Sequence, residues 1–295
     1  QSVNRLETPM MKKGGELVPV SWDKALEELK KRMESAGAET AGLASAKMSN
    51  EELFLFKTLI TEILESGKLE FRSDNQHEDV DKMEDHLLRR KDKNPNSRGA
   101  LDIGAGMLGM DNLEKELNAA SIPLLIVYKQ DLLAKKPALK DTLANTFTVV
   151  FSPYRTETSR AADLIFPVAE YFETEGTFTN YSGLRQRFEK AVAAPGETRE
   201  GWKVLKELVM ELEDEVTFGG TNSITTALSQ ELREKAEAKA KEEAQAQEKK
   251  ELEEKVKTEK AAAEEAAKQQ QAQAVQAAVQ KAKSEAQMEL EMEKE

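Results

Sequence analysis

The sequence predicts an α/β layered body with a mostly parallel sheet, followed by a long C-terminal tail that is helical or partly disordered. Three observations predict it. Amphipathic helical stretches alternate with short apolar runs through the first three quarters of the chain. Trp22, Trp202 and every Phe and Tyr lie before residue 219, so the core has to be built there. From Ala227 onward the chain is almost entirely Ala, Glu, Lys and Gln, with neither Gly nor Pro. These are strong helix formers with too few large apolar side chains to make a second core.

In chain order, Ser21 stands where an N-cap belongs, and Ala25, Leu26, Leu29 and Met33 share one face of the helix it would start. TAGLAS (40–45) reads as a short buried strand and NEELFLFKTLITEILES (50–66) as a second helix. ALDI (100–103) is a four-residue strand candidate leading into the glycine-rich GAGMLG and then a helix. IPLLIVY (122–128) and TFTVVF (146–151) are strands. The second feeds SPYRTETSRAADLIFP, from which a strand leaves at Pro167, and REGWKVLKELVMELE closes the body as a helix. TFGGTNS (217–223) marks a helix end and a linker. The expected organisation is a body over 1–218, a linker over 219–226 and a tail over 227–295. In the tail, Leu252 and Val256, like Val275 and Val279, are four apart, but no seven-residue repeat is sustained. That pattern predicts a solvated helix, or one lying along a partner's surface, and not a self-paired coiled coil.

Charge and composition then exclude whole classes of function. With 43 Lys and Arg against 55 Asp and Glu, the formal net charge is −12, which repels nucleic-acid phosphate and anionic lipid. No cysteine is present, so disulfides, thiolate nucleophiles, the usual structural zinc sites and cysteine-held iron–sulfur clusters have no ligands in this sequence. No apolar run approaches the roughly 20 residues of a membrane span, and QSVNRLETPMMKK carries no signal-peptide core. The expectation is a protein on a reducing face of a membrane, or in cytosol or organelle matrix.

Four stretches invite a chemical reading. Gly104, Gly106 and Gly109 match the glycine spacing of a dinucleotide-binding turn, and Asp131 follows the IPLLIVY strand where a ribose-binding acid would stand. Asp111 and Glu114 at the following helix start oppose a phosphate there, so a plain glycine-rich loop is the preferred reading. His77 and His86 lie among Asp74, Glu78, Asp79, Asp81 and Asp85, but nine residues apart they do not share a helical turn, and a solvated acidic segment is preferred to a metal site. Arg89, Arg90, Lys91, Lys93 and Arg98 form the one concentrated basic run, read as a solvated loop. Finally, 162–187 gathers Glu170, Glu173, Glu175, Thr177, Thr179, Asn180, Arg185 and Arg187. It is read as structural: a turn at Gly176 whose hydroxyls and Asn180 tie loop backbone together. No catalytic residue and no metal ligand is assigned.

Several of these segments, in this order, resemble the molybdopterin oxidoreductase family, and within it the large iron–sulfur subunit of respiratory complex I. NRLETPMMKKGGELVPVSWDKAL is similar to the passage that opens that subunit's molybdopterin-type domain, an Arg-Leu-x-x-Pro-Met turn before a Ser-Trp-x-x-Ala helix. NSRGALDIGAGMLG resembles its Asn-x-x-Gly-Ala plus glycine loop. PYRTETSRAADLIFPVAEYFETEGTFTNYSGLRQRFEKAVAAPGETREGWKVLKEL resembles the longest signature, from Thr-Glu-Thr through Gly-Thr-x-x-Asn and Gly-x-Arg-Gln to Gly-Trp-Lys. Ser182 and Leu184 depart from the family's usual Glu-Gly-Arg sequence in this stretch.

The resemblance implies a pterin-bound metal and iron–sulfur clusters in catalytic members. It also implies a cluster-bearing portion before the Arg-Leu turn, a longer middle region between Phe71 and Asn94, and a late cap domain, none of which this sequence carries. The resulting expectation is a non-catalytic accessory or split subunit of a complex I-like NADH:quinone oxidoreductase, without cofactors of its own. Its partners would be other subunits of a multi-subunit redox complex, including an iron–sulfur protein chain. It would sit peripheral to the membrane, on the matrix face in a mitochondrion or the cytoplasmic face in a bacterium. The alternatives are a truncated subunit of a formate dehydrogenase-like or hydrogenase-linked enzyme, and a nucleotide-binding module using the 104–109 loop.

Overall fold

The computed structural model describes residues 4–72, 92–106, 108–213 and 217–292. Within the body a seven-stranded sheet runs in the order β2-β1-β7-β6-β5-β3-β4. The strands are β1 (Met10–Lys13), β2 (Glu16–Pro19), β3 (Ala41–Ser45), β4 (Leu69–Arg72), β5 (Leu124–Tyr128), β6 (Phe147–Ser152) and β7 (Leu164–Pro167). From β7 to β4 all pairings are parallel; β1 pairs antiparallel with both β2 and β7. The mostly parallel sheet expected from the sequence is present, and the antiparallel β1–β2 ribbon is added at one edge, turning at Gly14 and Gly15, which both hold positive φ.

Because successive side chains along a strand point to opposite faces, each central strand feeds two cores. On one face Ala44, Ile126, Tyr128, Val149, Phe151 and Phe166 pack under α1 (Trp22–Ala36), α2 (Asn50–Lys57) and, later in the chain, α8 (Gly201–Leu212). Tyr128, Phe151 and Phe166 form a ladder across β5, β6 and β7 that continues to Trp22 of α1, with successive ring centroids 5.1, 4.7 and 5.3 Å apart. On the other face Leu43, Leu125, Val127, Val150 and Ile165 meet Leu113 and Leu117 of α4 (Met110–Asn118). Leu132 and Leu133 of α5 (Leu132–Lys135) and Leu143 of α6 (Lys140–Leu143) complete that layer.

Ser21 caps α1 as expected, its hydroxyl accepting from the Lys24 N–H, and the buried face is the one the spacing gave: Ala25, Leu26, Leu29 and Met33. The 50–66 helix is α2 continued by one π-helical turn over Thr58–Ile63, after which the chain bends at Leu64. ALDI is not a strand. It lies in α3 (Ser97–Ile103), which ends at Gly104 in a left-handed conformation. The four residues satisfy their backbone within that helix, the Gly104 N–H closing it on the Ala100 and Leu101 carbonyls. After β7 a two-stranded ribbon, β8 (Gly176–Thr179) and β9 (Arg185–Phe188), forms a separate small sheet, turning through Asn180, whose carboxamide accepts from the Ser182 and Leu184 N–H groups. A short α7 (Glu157–Ala161) leads into β7.

The chain divides into two compact units, 1–232 and 233–295. Residues 221–226, expected as linker, are already helical: α9 spans Thr221–Met292, and Ile224 and Leu228 are buried in the first core. Gly219 and Gly220 are therefore the break before the helix, and its first three turns belong to the body. In the second unit every described side chain of α9 is exposed, Val256, Val275 and Val279 among them at about half. No helix among the described residues is long and apolar enough to cross a membrane.

Candidate functional site

In an open parallel sheet the place to look for a ligand is the crevice outside the carboxyl ends of the strands, where strand order reverses. Here β4 lies on one side of β3 while β5, β6 and β7 extend on the other, so the reversal falls between β3 and β5. The segments leaving those two strands start α2 and reach Asp131. Ser49 caps α2 through the Glu52 N–H, and the Glu52 carboxylate returns a bond from the Ser49 N–H at 2.9 Å, a reciprocal capping box. Both oxygens of the same carboxylate accept from Lys129, which follows β5, with Nζ 3.0 Å from each. Their side chains are 5% and 2% exposed, which makes this a buried ion pair in the crevice itself. Tyr128 adds its hydroxyl to Glu52 Oε1 at 3.2 Å; burial, and then the adjacent Glu52 charge, push its phenol well above the usual range. Lys129 holds a positive φ of 51°, a strained backbone for a side chain of this size.

The neighbouring positions are filled in the same way. Glu51, fully buried, accepts from the Thr177 N–H at 2.7 Å, from the Thr177 hydroxyl at 2.8 Å and from the Thr225 hydroxyl at 2.8 Å. Asn50 donates to the hydroxyls of Thr177 and Thr179, and Asn96 accepts from the Thr179 N–H at 2.7 Å while donating to the Met48 carbonyl. β8 is thus laced onto the start of α2. Gly176 and Gly201 are required by this approach: a Cβ on Gly176 would stand 2.8 Å from the Ser49 side chain, and one on Gly201 would collide with the Tyr128 hydroxyl and Glu52 Oε1. Beside the network, a polar cavity of about 280 Å³ is lined by Asn50, Gly99, Asp102, Thr179 and Arg185 among others.

The residues singled out in the sequence are dispersed. Gly104 ends α3 and Gly109 caps α4, so the glycine loop joins two helices and does not follow a strand. The Gly109 N–H, where a phosphate would be received, is taken by Glu70 at 2.5 Å, and Gly106 lies against Phe71, the ring 3.2 Å from where a Cβ would be. Asp131 caps α5 and binds the Glu157 and Thr158 N–H groups and the Thr158 hydroxyl, so both its oxygens brace α5 against α7. Glu173 is paired with Arg5 and also accepts from the Glu170 N–H. Glu175 is bound by Arg187 and Thr221, and Arg185 by Ser229. Arg98 pairs with Asp102 at 2.8 Å. His77, His86, Arg89, Arg90 and Lys91 lie outside the described residues. Among the described residues no group of three or more His, Cys, Asp or Glu could hold a metal ion.

Glu51, Glu52, Lys129 and Glu70 were not visible as site residues in the sequence. The Ser-x-x-Glu of a capping box at 49–52 was the one local signal. Nothing local pairs Glu52 with Lys129, because the two meet only when β3 and β5 lie side by side.

A family model described as molybdopterin oxidoreductase matches residues 5–87 and 91–211, more than half of the chain. The F420-dependent formate dehydrogenase subunit alpha of Methanocaldococcus jannaschii is 39% identical over 87 residues, covering 30% of this chain and 12% of that one. The F420-dependent formate dehydrogenase 1 subunit alpha of Methanococcus maripaludis is 25% identical over 169 residues, covering 55% and 22%. An NADH-quinone oxidoreductase subunit of Buchnera aphidicola is 36% identical over 94 residues, covering 30% and 10%. The chain therefore spans less than a quarter of the length of these curated relatives.

Proposed function

We propose a function on one premise, which the family match establishes: the chain belongs to the molybdopterin oxidoreductase family. Relatives within it are named as subunits of larger redox enzymes, an NADH-quinone oxidoreductase and a formate dehydrogenase among them. Our reading is that this chain is a non-catalytic structural subunit of a complex I-like NADH:quinone oxidoreductase. Its α/β body would serve as scaffold, with the long helix as an arm toward other subunits of the complex, an iron–sulfur protein chain included. The complex would hold it peripheral to a membrane, on the matrix or cytoplasmic face.

The observation that carries the reading is the buried Glu52–Lys129 pair in the crevice between β3 and β5. The group that the family implies is an anionic, phosphate-bearing pterin. The residues present do not fit it: the Glu51, Glu52 and Glu70 carboxylates already take the Thr177, Ser49 and Gly109 N–H groups, so an anion received there would meet three carboxylates. No chemical step is derived through that group.

The test is elemental analysis with pterin fluorescence on the full chain, and on the complex it purifies with under mild detergent. The reading expects no stoichiometric molybdenum, tungsten or pterin bound by the chain, and NADH:quinone oxidoreductase subunits in the complex. One equivalent of molybdenum or tungsten per chain would overturn it. That result would favour the second reading, a subunit of a formate dehydrogenase-like enzyme, which the similarity to the two archaeal alpha subunits supports.

A further inference from the structure

We propose that residues 221–232, the first three turns of α9, are a releasable strap that closes the switch-point crevice over Glu51. This inference stands on the packing of the segment and does not depend on the function proposed above. Two fully buried apolar side chains anchor the segment, Ile224 and Leu228, in the core cluster that contains Phe54; Ala227 and Leu232 pack beside them, only partly buried. The rest of the hold is polar and runs along its two borders. Toward α2, the Thr225 hydroxyl donates to Glu51 at 2.8 Å and Lys57 donates to Glu231 at 2.9 Å. Toward the ribbon, the Thr221 hydroxyl donates to Glu175 at 3.0 Å, while Arg187 and Arg185 donate to Asn222 and Ser229, each at 2.8 Å.

Three features make this a strap and not simply another core helix. It enters through Gly219 and Gly220, where nothing beyond the adjacent residues lies within 4 Å of a Cβ position, so side chains from elsewhere in the fold do not crowd the entry. Those polar bonds are all side chain to side chain, so each partner can turn to water when the segment lifts, whereas the strands beneath are held by continuous backbone ladders. Its last residue, Leu232, forms part of the wall of the 280 Å³ cavity beside Asn50, Thr179 and Arg185. Lifting the segment removes that wall, uncovers the Glu51 carboxylate and joins the cavity to the space left by Ile224 and Leu228. The crevice is then open while the sheet remains intact.

Because the chain contains no cysteine, a single introduced thiol reports the opening. Thr179→Cys places one in the crevice at a position 6% exposed, and Val127→Cys places one in the sheet at 0%. Each is made in the full chain, with and without the paired substitutions Ile224→Asp and Leu228→Asp, and modification by a small aromatic disulfide is timed. The strap predicts that Thr179→Cys reacts at least about tenfold faster in the Asp pair while Val127→Cys keeps its parent rate. An unchanged rate at Thr179→Cys, or an equal rise at Val127→Cys, overturns it. If the aspartates abolish the cooperative melt, Thr225→Val with Ser229→Ala decides by the same comparison. This milder pair should speed modification at position 179 alone, and a rate that does not change, or that rises at both positions, refutes the strap.

Discussion

Replacing Lys129 by Met tests the ion pair on which the reading of the crevice rests. Met keeps the length and apolar stem of Lys, and it carries the same backbone strain at φ 51°, so the strain cancels between the two proteins. What changes is that a carboxylate whose side chain is 2% exposed loses its cation. Breaking a buried pair from one side costs about 3–5 kcal/mol. Glu52 retains the Ser49 N–H at 2.9 Å and the Tyr128 hydroxyl at 3.2 Å, which places the expected loss near the lower end, about 3 kcal/mol. Adding Glu52→Gln removes the stranded charge. Its amide oxygen can still accept from Ser49 while its NH2 group donates to the Tyr128 oxygen, so the double variant should lie within about 1 kcal/mol of the parent. The assay is urea unfolding followed by fluorescence of Trp22 and Trp202, both in the core of the body. Slopes must stay equal for the free energies to be compared. A loss below about 1 kcal/mol for Lys129→Met, or a double variant whose loss equals the sum of the two singles, would refute the reasoning, since either result means that the charges are not coupled.

Three further outcomes are expected. Gly176→Val should lower the stability of the body by about 1–3 kcal/mol, because its Cβ would collide with Ser49 and Glu51 where β8 meets α2; a midpoint in urea equal to the parent's would show that the ribbon can shift. Residues 1–232 alone should melt cooperatively at the temperature at which the body melts in the full chain, since the first compact unit closes at Leu232; a clear drop in that temperature argues against the boundary. Burial works to raise the carboxyl of Glu200, but hydrogen bonds from Lys203, Thr174 and Trp202 outweigh it and leave the group below the usual carboxylate range. The native state thus binds this proton less readily than the unfolded chain, so the stability contributed is complete above that range and is lost as pH falls through it. The stability gap between the parent and Glu200→Gln should therefore shrink from pH 7 toward acid, and a gap that holds constant or widens contradicts the assignment.

Periodicity alone determined much of the architecture. Leu26, Leu29 and Met33 at helical spacing, and unbroken apolar runs such as LLIVY in β5, specify which face of a helix and which strands are buried, because burial of apolar area is local in pattern even when its partner is distant. Composition likewise separated the core-forming part from a tail without aromatic residues, and the ordered motifs over roughly 3–213 pointed to the family, whose model matches 5–87 and 91–211. Other features were settled only by assembly. ALDI has an apolar rhythm that suits a strand or a helical turn equally, and it became helix where the chain closes its bonds locally and stops at Gly104. Residues 221–226 look like linker chemistry, yet the Thr221 and Thr225 hydroxyls donate to carboxylates 46 and 174 residues away, which no local rule could supply. The crevice shows the difference most plainly. Glu52 and Lys129 are each ordinary in sequence, a helix-start acid and a post-strand lysine. They become one buried pair because the parallel β3 and β5 bring their carboxyl ends together, and a charge taken out of water must find its counter-charge wherever the topology places it.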